Sequence, residues 1–176
     1  MQKLKDFKPH FIAIGIFILI SFVYFSPVLS GKQIEMSDQS NAKGMAKETE
    51  DVYKKTGTDP LWTGAAFSGM PTFQTSTHGK ENFMDSFFAL MRKVFPSPVY
   101  LLFLNLLGFY FLLITLKVDY RLAIAGAIMY AFCSYTFLII KVGHVSKVLA
   151  VAFAPVFLAG IIRTLNGKFL QGFAPT

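Results

Sequence analysis

The sequence holds one cysteine, Cys133, and it lies inside an apolar run. An intrachain disulfide is therefore excluded, and no His/Cys cluster has the spacing of a structural metal site. Acidic residues are scarce: ten Asp and Glu stand against seventeen Lys and Arg. Charged residues of both signs make up only 15% of the chain, too few to coat a soluble domain of 176 residues. No Gly-rich phosphate loop, Ser/His/Asp set, internal repeat or low-complexity tract is present. The net charge of +7 sits at the ends of apolar runs and not in a patch, so it reads as membrane topology and argues against a nucleic-acid partner.

What the chain has in excess is hydrocarbon. Hydrophobic residues make up 53%, with twenty Phe among them, too many to hide in one small aqueous core. The runs are too long and too uniformly apolar for barrel strands, so the class is all-α, a polytopic membrane protein. Residues 1–9 form a short basic N-terminus, and 10–29 a first transmembrane helix that Pro27 ends or kinks. This run is longer than a signal-peptide core and more spans follow, so it reads as uncleaved. Further spans are expected at 99–116, 122–140 and 148–162, with Pro155 near the middle of the last. Residues 163–176 are a turn and the start of a further segment.

Between the first and second spans lies a polar loop, 30–98. Its stretch from Gly31 to Pro98 carries 16 of the 27 charged side chains and the only Trp. Apolar residues at helical spacing predict a helix near 39–55, with Ser37 or Asp38 as N-cap and Gly57 as its stop. A second helix near 81–95 has an apolar face of Phe and Met, the pattern of a helix lying in the membrane interface. The stretch between them reads as irregular, punctuated by Gly and Pro. Lys3, Lys5, Lys8, Lys117, Arg121, Arg163 and Lys168 fall on one side if the N-terminus is cytoplasmic. The loop is then extracytoplasmic. Lys141 and Lys147 run against this count.

Those two cations direct attention to the turn Gly143-His144-Val145-Ser146-Lys147. It opens the fourth span, where backbone N–H groups and the helix dipole favour an anion. His144 and Lys147, three residues apart, share a face, and a lipid-linked phosphate is the anion available at that depth. Alternatively Lys147 snorkels and His144 caps the turn. Asp38 lies a few residues past the first span. A carboxylate there can act as general base, hold a divalent cation as cofactor, or serve simply as an N-cap. Glu35, one turn earlier, could pair with it. Glu48, Glu50 and Asp51, interleaved with lysines, read as a solvated face. Trp62 either anchors the loop at the interface or stacks on a sugar.

The order of these pieces carries a resemblance. Asp38-Gln39, Lys43-Gly-Met-Ala-Lys-Glu48, Asp59-Pro-Leu-Trp-Thr63, Phe67-Ser-Gly-Met-Pro-Thr-Phe73 and Gly143-His-Val-Ser-Lys147 together resemble the N-terminal part of bacterial YfhO-type membrane proteins, in the version common among Bacteroidetes. Such proteins are longer, and are similar to C-fold glycosyltransferases. The resemblance implies a partial fold of that type: four transmembrane helices and an extracytoplasmic loop with two interfacial helices, in the bacterial cytoplasmic membrane. It implies a polyprenyl-phosphate-linked sugar as partner and Asp38 as the acidic catalytic residue; the reading of the residues themselves adds His144, Lys147, Trp62 and Glu35 as substrate-binding candidates. Gln39 stands where a second acid would follow, so no paired-acid motif is present. A non-catalytic envelope protein, or a transporter or flippase subunit, is the alternative.

Overall fold

The computed structural model describes residues 2–74 and 83–167. Among them are eight α-helices and one small β-hairpin. Helix α1 (Gln2–Tyr24) takes in the basic N-terminus, which the sequence sets apart from the first span. It stops before Pro27, whose ring would clash with the carbonyl four residues back. A single turn, α2 (Ser26–Leu29), follows with that proline near its start.

Helix α3 (Ser37–Thr56) corresponds to the first expected loop helix, and Gly57 closes it at φ +71°. The stretch that reads as irregular instead contains a hairpin, β1 (Trp62–Thr63) against β2 (Met70–Pro71), with Trp62 opposite Pro71. Helix α4 (Phe83–Val94) is the second loop helix, and α5 (Val99–Thr115) leaves it at an angle of 117°.

The third span, expected as one helix over 122–140, is broken. Helix α6 (Tyr120–Ala131) and α7 (Ser134–Val142) meet at 46°. No proline or glycine sits at the break. Cys133 is extended there (φ −65°, ψ 145°) and caps α7, its sulfur 3.2 Å from Thr136 Oγ1. The rings of Phe132 and Phe137, on either side of the break, close over Tyr24 at the end of α1, with centroids 5.3 and 4.7 Å away. Helix α8 (Val145–Leu165) overruns the expected fourth span at both ends and passes through Pro155 without a break.

Two helices, α1 and α8, are long and apolar enough to cross a bilayer alone; counting α4–α5 and α6–α7 as bent pairs gives up to four crossings. These helices mark the chain as membrane-embedded. In lipid, helices gain little from hiding apolar surface, so association depends on close packing and on satisfied polar groups. Both are visible. Helix α5 packs against α1, α6 and α8, and every residue from Val99 to Leu106 is buried. Ala123, Ala127 and Ala131 line one face of α6 and are wholly buried. At Gly108 a Cβ would stand 2.2 Å from the Ala152 carbonyl oxygen, so only glycine lets α5 lie this close to α8.

Pro155 has no N–H, which leaves the Val151 carbonyl without its helical donor. Tyr130 of α6 supplies one: its hydroxyl donates to Val151 O at 2.8 Å. The Tyr130 ring is held for this by stacking on Phe109 of α5, with centroids 4.3 Å apart. Tyr130→Phe is expected to lower stability by about 1–3 kcal/mol, the cost of an unmet buried acceptor. Unfolding by a denaturing detergent checks this. Pro155→Ala restores the N–H, so the same Tyr130→Phe change should then cost much less.

Candidate functional site

The start of α3 returns to the helical bundle at the turn between α7 and α8. Gly143 ends α7 at φ +100°, a conformation that favours glycine. Its missing side chain is also where α3 seats: a Cβ on Gly143 would stand 3.0 Å from Met36 Cβ and 3.4 Å from Gln39 N. Both demands fall on one residue, and they bring the start of α3 over the start of α8.

Asp38 and His144 meet across this seat. The distance from His144 Nδ1 to Asp38 Oδ2 is 3.2 Å, and the side chains are 39% and 43% exposed. Asp38 is therefore not the N-cap, nor is Ser37. That position belongs to Met36, in extended backbone, and no side chain caps α3. Asp38 stands in the first turn, where the helix dipole favours a carboxylate. His144 does occupy the N-cap position of α8, but its ring makes no capping hydrogen bond and turns to Asp38 instead. Around the pair is an open hollow of about 660 Å³, lined also by Asn41, Met45 and Ser146.

The other sequence-derived candidates are placed differently. Lys147 is exposed in the first turn of α8, one turn from His144 and outside the lining of the hollow. Glu35 does not join Asp38 there. It lines a separate hollow with Ile34, Phe137 and Lys141. Trp62 is 62% exposed in the hairpin. Its indole lies over Gly69, where a Cβ would come within 2.6 Å of Nε1.

Sequence reasoning missed the residue that places the hairpin. Glu48, which reads as part of a solvated face, accepts hydrogen bonds from Thr63 Oγ1 at 2.6 Å and from the Gly64 amide at 3.0 Å. Thr63 is buried, and its hydroxyl oxygen also accepts from the Ala65 amide. The partners lie 15 residues apart, so no local pattern could reveal them. Glu48 follows Asp38 by ten residues, about 15 Å along α3 at the usual helical rise. The hairpin is thereby tied to the far part of α3, away from the Asp38–His144 pair.

A single carboxylate beside an imidazole gives the site a proton acceptor, a hydrogen-bond donor and, when the imidazole is protonated, a cation. Among the described residues no three His, Cys, Asp or Glu side chains converge, and a hard cation needs several oxygen ligands. Comparison with family models, curated proteins and solved structures finds no match to this chain.

Charge-assisted hydrogen bonds of the Glu48 kind contribute about 1.5–3 kcal/mol, roughly ten- to a hundredfold in an opening equilibrium. Glu48→Ala should accelerate hydrogen exchange at the Gly64 amide by that factor and shift the emission of Trp62, the only tryptophan. Unchanged exchange would show that the hairpin is held by other contacts.

Proposed function

We propose that the chain is the N-terminal part of a YfhO-type protein of the bacterial cytoplasmic membrane. Its activity would be transfer of a sugar from a polyprenyl-phosphate carrier to a cell-envelope glycan. In this reading α1, α5, the bent α6–α7 pair and α8 are four spans. The N-terminus is cytoplasmic, and α3, the hairpin and α4 lie on the outer face. In this reading the whole would be a partial C-type glycosyltransferase fold.

One observation carries the reading: Asp38 and His144, 106 positions apart in sequence, pair at 3.2 Å where two helices begin. The resemblance nominates Asp38, and the start of the fourth span nominates His144. In the proposed reaction Asp38 takes the proton of the acceptor hydroxyl. The resulting oxygen attacks the anomeric carbon, and the bond to the carrier phosphate breaks with its electron pair leaving on phosphate. His144 holds the carboxylate through Nδ1 and turns its second nitrogen to the phosphate. Lys147 and the first N–H groups of α8 neutralise the remaining charge. Trp62 and Glu35 take no part in these steps: Glu35 lines a separate hollow, and Trp62 sits in the hairpin that Glu48 ties to α3 a long way from Asp38.

A second reading has its own support. The 46° break between α6 and α7 is the discontinuity expected of a transporter or flippase subunit. Asn105 of α5, wholly buried, adds a polar group: its amide donates to the Leu101 carbonyl while Oδ1 meets no partner among the described residues.

Asp38→Asn in the full-length protein separates the readings. A general base contributes about 10²–10⁴ in rate, so modified envelope glycans should fall by at least a hundredfold in mass spectra of the mutant cells. Glycans at wild-type levels would remove the enzymatic role of Asp38.

A further inference from the structure

A second concavity lies at the opposite end of the molecule from the Asp38–His144 pair. It is a cleft of about 510 Å³ between α1 and α8, floored by α5 at Leu104, Leu107 and Gly108. Its walls are almost wholly apolar. Along α8 it runs from Phe153 to Arg163, ten residues, or about 15 Å at helical rise. That is the depth of about one leaflet of a hydrocarbon core roughly 30 Å thick. Phe153, in ring contact with Phe87 and Phe88 of α4, closes it at mid-depth.

The open end is cationic. Arg163 stands in the last turn of α8, and its guanidinium lies 4.5 Å from the centre of the Phe111 ring. It does not extend away from the bundle as a snorkelling cation would. It folds back over α5 and lines the cleft. Among the described residues it makes no ion pair. The His144–Asp38 bridge is at the other end of α8. His10 and Tyr110 border the same end and are hydrogen-bonded to each other at 2.8 Å. Lys8 is exposed on the first part of α1, and the sequence adds Lys3 and Lys5. Basic pockets between transmembrane helices at such a level are recognised by anionic headgroups.

We infer that this cleft binds one anionic glycerophospholipid, with an acyl chain between α1 and α8 and its phosphate on Arg163. Charge selects the occupant: a neutral chain or a further apolar helix would fill the cleft and leave Arg163 without a counter-ion in a medium that penalises it. The site is distinct from the one in the proposed reaction. Its test uses no enzymatic readout.

The test is photo-crosslinking of the purified chain in vesicles of equal parts phosphatidylglycerol and phosphatidylcholine. A photoreactive phenylalanine replaces Val156, in the cleft, or Leu158, on the exposed face of the same helix. At Val156 the phosphatidylglycerol adduct should exceed the phosphatidylcholine adduct at least tenfold. At Leu158 the ratio should be near one. Arg163→Gln should bring the Val156 ratio near one without loss of total lipid adduct, a result that also shows the cleft still formed. Equal ratios at Val156 in the unmodified background would overturn the inference. So would an Arg163→Gln ratio unchanged from the parent, the same enrichment at Leu158, or a Val156 adduct made chiefly to a second copy of the chain.

Discussion

A proline inside a membrane helix leaves a carbonyl that no water can reach, and the packing of this bundle centres on how that carbonyl is met. Pro155 orphans Val151 O, and Tyr130 reaches it from α6. For that reach α6 must lie close to α8, and Phe109 of α5 must support the ring. One position along α8, the Ala152 carbonyl presses on α5 where only the hydrogen of Gly108 fits. Three helices are thus fixed to one another within a turn of α8 by a hydrogen bond, a stacked ring and a missing side chain. None of these relies on expelling water, which is no driving force between helices already in lipid.

The position of α8 has a consequence at its far end. Once α8 is set against α5, the turn that precedes it is also set, and His144 with it. Gly143 then allows the polar loop to return, because Met36 and Gln39 occupy the space a side chain would need. The Asp38–His144 pair is therefore a product of tertiary closure. Its partners come from separate segments whose only common feature is that each starts a helix. A loop with sixteen charges in balance meets the membrane domain at this turn and again through α4, whose Phe87 and Phe88 contact Phe153. The α1–α8 cleft at the other end is bounded by the same α5–α8 contact.

The helices were legible because lipid imposes a uniform demand: a run of about twenty apolar residues has few other structures open to it. Gly57 and the periodicity before it gave the end of α3, and the Phe and Met face gave α4. The break at Cys133 was not legible. The residues around it are ordinary helix members, and the ring that Phe132 and Phe137 meet at the break is Tyr24, more than a hundred positions earlier. The hairpin was hidden for the same reason, since Glu48 acts on Thr63 through space. Asp38 and His144 could each be nominated from position relative to a span, but their pairing could not. Asp38 looked like a cap because Asp at a helix start usually is one; here extended Met36 takes the cap position and frees the carboxylate. Sequence proximity pairs Glu35 with Asp38, and the aromatic ring of Trp62 suggests a sugar contact; the extended segment and the hairpin take both away from the pair.

The central claim is that the start of α3 and the start of α8 meet, and the proposed topology puts that meeting on the outer face of the membrane. Asn41 and Ser146 border the hollow from the two sides and leave the Asp38–His144 pair untouched. With Cys133→Ser as background, Asn41→Cys and Ser146→Cys can be joined by a short, membrane-impermeant bis-maleimide added to intact spheroplasts. The account predicts that after proteolysis between them the two fragments stay linked, in the double variant and in neither single one. Fragments that separate, or that link only after the membrane is permeabilised, would contradict it.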